Sequence, residues 1–212
     1  MPHHIQSYTN SPRLRDLDAL AAAVLACRAC QTHGHLPVAN PIRPDVLPDA
    51  RILLIGQAPG PVTDRKGYHF AGPAGGILEK WLERAGFPSG YFRQHVWLSS
   101  LTRCFPGKSP SGNGDRQPSR AEIELCRGFL DREIELLEPK LVLLVGKMAI
   151  DAFLGKQPLT ATVGSMFERD GRQFLPLPHA SGVSRWLNDP VNRTRLDRAL
   201  AELSLLRIEL GI

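Results

Sequence analysis

Long apolar runs are missing from this chain of 212 residues. The longest strong one is Leu141–Val145, whereas a membrane-spanning helix needs roughly 20 predominantly apolar residues. The amino-terminal residues, MPHHIQSYTNSPR, also lack the apolar core of a signal peptide. The sequence therefore predicts a cytoplasmic protein that has no membrane partner.

Cysteines are few: the chain has Cys27, Cys30, Cys104 and Cys126. Disulfides are rare in the cytoplasm, so we expect free thiols or thiolate ligands. Cys27 and Cys30 form a C-x-x-C pair, which is a typical metal-ligand spacing. This spacing favours a shared metal site over four unrelated buried cysteines. Zinc and an iron–sulfur cluster both accept four thiolates, and the spacing alone does not choose between them.

Aromatic residues make up only 7% of the chain, while 42% of it is hydrophobic and 22% is charged, as in a globular protein. The formal net charge is +5, and this excess favours a polyanionic partner such as nucleic acid. A chain of this length supports one substantial core. We therefore expect a single domain over residues 1–212, of which residues 1–12 are a flexible start.

Apolar runs alternate along the chain with segments of helical periodicity. The runs predict strands at residues 51–56, 95–101, 140–146 and 173–177. The periodic segments predict helices at about 14–27, 74–86, 119–138 and 147–154, and a long terminal helix through 196–210. This order predicts a three-layer α/β/α fold with a central, mostly parallel four-stranded sheet. Shorter strands are expected at 160–163 and 167–169, the latter turning at Asp170-Gly171 into the last strand.

The segment Arg51–Gly76 is the most informative part of the sequence. Its first strand breaks into the glycine-rich turn Gly56–Gly60, and a second glycine cluster, Gly72–Gly76, precedes a helix. Ligands bind at the carboxyl ends of strands in open α/β sheets. We therefore expect a binding site on the loop between the two clusters, which carries Asp64, Arg65, Lys66, Tyr68, His69 and Phe70.

From about Leu25 to its end, the chain resembles the uracil-DNA glycosylase superfamily, nearest its iron–sulfur, family 4-type branch. The resemblance rests on the order and spacing of seven pieces: CRAC at 27–30, GQAPG at 56–60, GYHFAGPAGGIL at 67–78, TRCFPG at 102–107, PSRAEIELCRGFL at 118–130, PKLVLLVGKMA at 139–149 and PHASG at 178–182. It implies a uracil-DNA glycosylase-like fold and a 4Fe-4S cluster held by all four cysteines. It also implies a monomeric, monofunctional enzyme that hydrolyses uracil from single- or double-stranded DNA, releasing free uracil and leaving an abasic site.

The resemblance also implies roles for particular residues. His179 would donate to the uracil oxygen as the base leaves, and Phe70 would stack on the extruded base. Gln57 would hold the base or position water together with the backbone of Gly56 and Ala58. Ser100 would face the edge of the base. The resemblance places a loop that enters DNA at 183–186, whose Arg185 or Trp186 would fill the vacated stack. Ser181 is a further expected DNA contact, and the charges of Lys108, Arg116, Arg185 and Arg193 make them candidate phosphate contacts.

Four positions depart from the family's usual pattern. Gln57 stands where the family usually has Glu, Ser100 where it has Asn, and Ala180 where it has Pro. Ala58 stands where the best-known branch has a water-activating Asp. Gln57 is neutral and is no strong base, so Asp64 becomes the candidate water activator of the sequence.

Two other functions stay open at this point. Because neither Gln57 nor Ala58 supplies a carboxylate, the alternative is a protein that binds damaged or abasic DNA without cutting the glycosidic bond. A zinc-stabilised nucleotide-binding α/β protein is the third reading of the same cysteines and turns.

Overall fold

The computed structural model describes residues 11–112, 114–181 and 185–212. Most of the segment predicted as a flexible start, residues 1–10, lies outside this range. So do residues 182–184, which belong to the PHASG motif and to the loop predicted to enter DNA.

A five-stranded sheet forms the centre of the described chain, in the order β2-β1-β3-β5-β4. Its strands are β1 Ile52–Gly56, β2 Val96–Ser100, β3 Leu141–Val145, β4 Phe167–Arg169 and β5 Arg172–Leu177. The pairs β1–β2, β1–β3 and β3–β5 are parallel, and β4 runs antiparallel to β5 at the edge. The predicted parallel four-stranded sheet is thus confirmed, with one short antiparallel strand added.

Helices cover both faces of this sheet and also connect its strands. Their bounds are α1 Pro12–Ala26, α2 Ala29–Thr32, α3 Pro61–Lys66, α4 Pro73–Arg84, α5 Tyr91–Gln94, α6 Arg120–Leu137, α7 Lys147–Leu154, α8 Leu159–Thr162 and α9 Pro190–Glu209, with a 3₁₀ helix at Arg185–Asn188. The five predicted longer helices are confirmed.

Two local predictions are wrong. The predicted strand at 160–163 is the helical turn α8, because Pro158 precedes it and the Thr162 hydroxyl bonds back to the carbonyls of Pro158 and Leu159. The segment between the glycine clusters was predicted as a loop, and part of it is α3. Pro61 begins that helix and Gly67, at a φ of 75°, ends it.

The sheet separates two apolar clusters, which makes the fold three-layered. Alternate residues of β1 face opposite ways: Ile52 and Leu54 pack with α4 and α9, whereas Leu53 and Ile55 pack with α1, α6 and α7. All residues of β1, β2 and β3 are buried, as expected of parallel strands covered on both faces. None of the described helices is long and apolar enough to cross a membrane.

Candidate active site

A cavity of about 740 Å³ lies at the carboxyl ends of the four parallel strands. Gly56 of β1, Ser100 of β2 and Val145 of β3 line it, and His179 lines it two residues beyond the end of β5. Gln57, Ala58 and Phe70 line the same cavity. Parallel register explains this convergence, since it brings the loops that follow all four strands to one edge of the sheet.

Phe70 forms one wall of the cavity directly against the end of β1. A side chain at Gly56 would begin 2.9 Å from the Cζ atom of Phe70, so only glycine leaves room for the ring. Phe70 also has a φ of 53°, which is uncommon for a non-glycine residue. Its ring meets Phe92 edge-on at a centroid distance of 6.1 Å. The aromatic wall is therefore fixed from behind rather than free to swing.

Arg93 holds the backbone that carries this wall. Its guanidinium donates to the carbonyl oxygens of His69 and Phe70, the latter at 2.6 Å. The same guanidinium lies over the rings of Tyr68 and Phe92 at 5.2 and 4.9 Å. Gly75 of α4 is close on the other side, since a Cβ there would meet the Phe70 oxygen at 2.0 Å. These contacts explain how Phe70 keeps its unusual backbone conformation.

His179 stands on the opposite side of the cavity, after β5. Gly146, at the end of β3, leaves space for it, because a Cβ at Gly146 would lie 3.2 Å from the His179 ring. The His179 side chain is exposed to the cavity. Neighbouring protein atoms nevertheless displace part of its water, and this desolvation lowers its pKa. A neutral imidazole, which donates through one nitrogen, is therefore the form present at neutral pH.

Ser100 presents a hydrogen-bond acceptor to the cavity. Its hydroxyl donates to the carbonyl oxygen of Thr102 at 2.7 Å, which uses its one proton. The lone pairs of Oγ remain for a ligand. An asparagine, by contrast, offers both a donor and an acceptor. Ser100 is buried at 3% exposure, so its hydroxyl orientation is set by the protein rather than by bulk water.

His69 is a cavity residue that the sequence did not single out as a site. It is 2% exposed, and its Nε2 has no hydrogen-bond partner among the described residues. Burial and, after it, the charges of Arg103 and Arg93 lower the pKa of His69 to about 3. His69 is consequently neutral across the working pH range and is a weak base, although Nε2 can still accept a hydrogen bond.

This burial predicts a pH dependence of stability. The unfolded chain protonates His69 near pH 6.5, but the folded chain resists protonation down to about pH 3. The contribution of His69 to stability is thus complete above pH 6.5 and is lost as the pH falls from there towards 3, by up to about 1.4 kcal/mol per pH unit. Urea unfolding of the wild type and of His69→Asn at pH 7, 6, 5 and 4 measures this. Asn keeps an amide donor but does not titrate, so parallel curves for the two proteins would contradict the prediction.

The carboxylate that lines the cavity is not Asp64, the water activator that the sequence predicts, but Asp115. Asp64 lies on α3 outside the lining of the cavity, and its Oδ1 accepts a hydrogen bond from Asn40 at 3.0 Å. Asp115 does line the cavity. It lies in the glycine- and serine-rich segment 105–118, whose composition predicts a loop but gives no sign of which residue faces a ligand.

The five predicted DNA contacts differ in their surroundings. Ser181 lines the cavity, and its amide bonds back to the His179 carbonyl at 3.0 Å. Arg185 is exposed at the start of the 3₁₀ helix. Lys108 is paired with Asp115 at 2.7 Å. Arg116 forms two bonds to Glu122, and Arg193 bonds to carbonyls of the 3₁₀ helix, so both are engaged within the protein.

The four cysteines come from distant parts of the chain and lie near one another. Cys30, Cys104 and Cys126 are buried, and Cys27 is half-buried. Burial, and after it repulsion from the neighbouring thiolates, raises the pKa of Cys30 to about 11 and of Cys104 to about 12. Among the described residues, no three His, Cys, Asp or Glu side chains are placed to hold a single metal ion. The donors therefore do not form a ready single-ion zinc site.

A buried ion pair supports the floor of the cavity at the end of β2. The Arg103 guanidinium donates to Glu133 at 2.8 Å and also to the carbonyl oxygen of Ser100. The Ser99 hydroxyl donates to the same Glu133 oxygen at 2.6 Å. Arg103 and Glu133 are 1% and 0% exposed. Burial raises the pKa of Glu133, while Arg103 and Ser99 oppose the rise.

The fold is that of an α/β protein with a parallel sheet, and its cavity lies where the strand order reverses around β1 and β3, the usual place of a ligand site in such sheets. Residues 44–204 match the family model described as the uracil DNA glycosylase superfamily. The chain belongs to that superfamily, as its motifs predicted.

Several curated relatives are named type-4 uracil-DNA glycosylase. The protein from Thermotoga maritima is 27% identical over 184 residues, which are 85% of this chain and 90% of that protein. The protein from Archaeoglobus fulgidus is 28% identical over 64% of this chain and 62% of its own length. That from Sulfurisphaera tokodaii is 28% identical over 62% of this chain, and the match spans 54% of its length. These similarities confirm the predicted relation to the type-4 branch.

Proposed function

We propose that this protein is a monofunctional DNA glycosylase that hydrolyses the bond between uracil and deoxyribose and leaves an abasic site. The observation that carries the proposal is the convergence of Phe70 and His179 on one cavity. The names of the type-4 relatives support the same substrate. The volume of about 740 Å³ is within the usual range for small-molecule sites and admits an extruded pyrimidine.

The chemistry assigned to each wall follows from where charge develops. As the bond between C1′ and N1 breaks, the base takes the electron pair and becomes an anion, while the sugar becomes a cation. The N–H of neutral His179 donates to the uracil oxygen, whose negative charge grows in the transition state. The Phe70 ring stacks on the base and holds it in place. Water then adds to C1′ and completes the hydrolysis.

A lyase reaction is not part of the proposal. Cutting the strand through a Schiff base needs an amine at the sugar. No lysine of the described chain lines the cavity. Lys108 forms an ion pair with Asp115, which does line it. The proposed reaction is therefore limited to hydrolysis.

The same proposal includes a 4Fe-4S cluster on Cys27, Cys30, Cys104 and Cys126. The donor set fits: four free thiols gather, and three of them are buried close enough to repel one another when ionised. When bound, the cluster would supply structural cross-linking. A brown protein whose visible absorbance is lost in Cys30→Ala supports it, and a colourless, zinc-containing protein contradicts it.

DNA would approach the cavity mouth, where Ser181, Lys108 and Arg185 are proposed to meet the backbone. The ion pair of Lys108 with Asp115 is exposed and hence weak enough to be exchanged for a phosphate. Trp186 packs partly buried against the core, so Arg185 is the better candidate for the space left by the extruded base. The protein is proposed to act as a monomer, with free uracil as its product.

A single assay separates the enzyme from the alternative, a binder of damaged DNA. A labelled oligonucleotide with one deoxyuridine is incubated with the protein and then treated with alkali. Cleavage at the uracil position supports the glycosylase, because alkali cuts only at abasic sites. An intact oligonucleotide that is shifted on a native gel supports the binder instead.

Ser100 predicts the selectivity of this reaction. Its hydroxyl can accept from N3–H of uracil but cannot donate to O4. The amide of Ser100→Asn can accept from N3–H and donate to O4 of uracil. In a purine the corresponding N–H and oxygen lie at a different distance from the glycosidic bond, so the same amide fits them less well. We expect the variant to favour uracil over other deaminated bases about fivefold more than the wild type does, the worth of one hydrogen bond of about 1 kcal/mol.

The measurement is single-turnover excision of uracil, hypoxanthine and xanthine from otherwise identical oligonucleotides. Ser100→Ala is the control, since it removes the acceptor without adding a donor. It should slow excision of every base that presents an N–H, with little change in their ratio. Equal selectivity of Ser100→Asn and the wild type would remove Ser100 from base recognition.

A further inference from the structure

The 106–117 segment, rather than the turn after β1, supplies the carboxylate of the cavity. Asp115 is the one acidic residue that lines the cavity within the described chain. The turn itself has Gln57 and Ala58, which cannot ionise. Asp64, the nearest acid in sequence, is held by Asn40 outside the lining.

The segment forms a small hairpin that presents Asp115 towards the turn. Lys108 and Asp115 form an antiparallel bridge, and the amides of Ser109 and Arg116 bond to the carbonyls of Gly114 and Gly107 at 3.1 and 2.9 Å. Asp115 thereby reaches across the mouth of the cavity. Its Oδ2 lies 3.7 Å from the point at which a side chain on Gly60 would begin.

The base of this hairpin is firmly attached to the protein. Arg116, which also lines the cavity, donates to both Glu122 oxygens at 2.7 and 2.8 Å, and to the Pro106 carbonyl at 2.9 Å. Glu122 in turn caps α6 through its bond from the Ser119 amide. The carboxylate next to Arg116 is therefore positioned by a fixed backbone, as a group acting on a reaction centre requires.

We propose that Asp115 is the catalytic carboxylate of the hydrolysis: it stabilises the sugar cation and accepts the proton of the attacking water. The inference rests on the proposed glycosylase function. The C1′–N1 bond breaks with its electron pair on the base, and the water oxygen forms the new bond to C1′. One water proton passes to Asp115 and from there to the released base, so atoms and charge balance.

The other polar residues of the cavity are worse placed for this task. Gln57 is neutral, and the pKa of His69 is lowered to about 3, which makes it a weak base. His179 is needed as a donor to the base. Asp115 is 38% exposed, so water reaches its carboxylate directly. Its partner Lys108 is 62% exposed and is released when it turns to a DNA phosphate, leaving the carboxylate free to act.

The test compares three isosteric substitutions with the wild type: Asp115→Asn, Asp64→Asn and Asp170→Asn. Asp115→Asn keeps the size of the side chain and an acceptor for Lys108. We expect it to lower the single-turnover rate of uracil excision about a hundredfold, the usual contribution of a positioned proton acceptor. Asp64→Asn should change that rate less than threefold. Asp170→Asn is a matched charge control at the β4–β5 turn, where Asn tolerates the φ of 50°.

Affinity for an uncleaved oligonucleotide and the melting temperature are measured for every variant. A loss of rate in Asp115→Asn with unchanged melting and affinity supports the proposal. Full activity of Asp115→Asn overturns it, as does a large loss in Asp64→Asn alone. If the wild type itself does not excise uracil, the proposed function fails, and that outcome is distinct from either of these.

Discussion

Replacing His179 with alanine is expected to lower the single-turnover rate of uracil excision by about 100- to 1,000-fold, the usual cost of removing one preorganised donor to a developing anion. The reason is that negative charge forms on the base only as the glycosidic bond breaks. Ground-state uracil is neutral, so the donor matters little for binding, but the departing base carries negative charge that His179 meets across the cavity. Affinity for uracil-containing DNA should change by less than a few fold.

Two variants make the prediction specific. His179→Asn keeps a side-chain N–H donor, and we expect it to recover part of the lost rate. His95→Ala changes a histidine that packs against Tyr91, at a ring distance of 4.7 Å, outside the lining of the cavity. It should excise uracil at the wild-type rate. A His179→Ala protein within fivefold of the wild type would show that the donor lies elsewhere.

The largest effect on stability is expected at the buried ion pair under Ser100. Arg103→Met leaves the Glu133 carboxylate in the core without its guanidinium partner, although the Ser99 hydroxyl still donates to it. Breaking such a pair costs about 3–5 kcal/mol, because the remaining charge is desolvated and unpaired. Urea unfolding at pH 7 measures this loss. The double variant Arg103→Met/Glu133→Gln removes the charge but keeps an acceptor for Ser99, and it should recover a substantial part of the loss.

The pH dependence of this variant has a definite sign. Burial raises the pKa of Glu133, and removing Arg103 takes away its largest opposing influence. The unfolded chain ionises near pH 4.3, so the penalty grows as the pH rises from there through the raised folded pKa. Below about pH 4 both states are protonated and the difference from the wild type should shrink. A constant difference from pH 4 to 8 would indicate lost packing rather than an unpaired charge.

The sheet and the site at its edge were predictable because their signals are local and reinforce one another. A short uninterrupted apolar run such as Leu141–Val145 is typical of a strand that is buried on both faces. In a parallel sheet the carboxyl ends of all strands lie at one edge. That edge therefore carries Gly56, Ser100 and His179, independently of how the loops fold. The convergence of distant residues therefore followed from topology alone.

The sequence does not predict the features that depend on tertiary contacts of the loops with the rest of the protein. Asp115 lies among glycines and serines whose composition does not indicate which residue faces the cavity, so the sequence alone points to Asp64, which is nearer to the glycine-rich turn. The residues of α8 include Thr160 and Thr162, whose β-branching favours a strand, but side-chain bonds to the preceding carbonyls stabilise a helical turn. The burial of His69 likewise depends on Arg93 and Arg103, which lie far from it in sequence.

The hold of Arg93 on the Phe70 backbone has a consequence for how a lesion is found. One guanidinium, that of Arg93 in α5, bonds to the segment before α4, so the stacking surface is already formed in the protein without DNA. Binding then carries no free-energy cost for ordering this stacking surface, as in other preorganised receptors. Under the proposed function, the step that decides recognition is then the extrusion of the nucleotide from the DNA, which is easiest for bases that unstack at low cost.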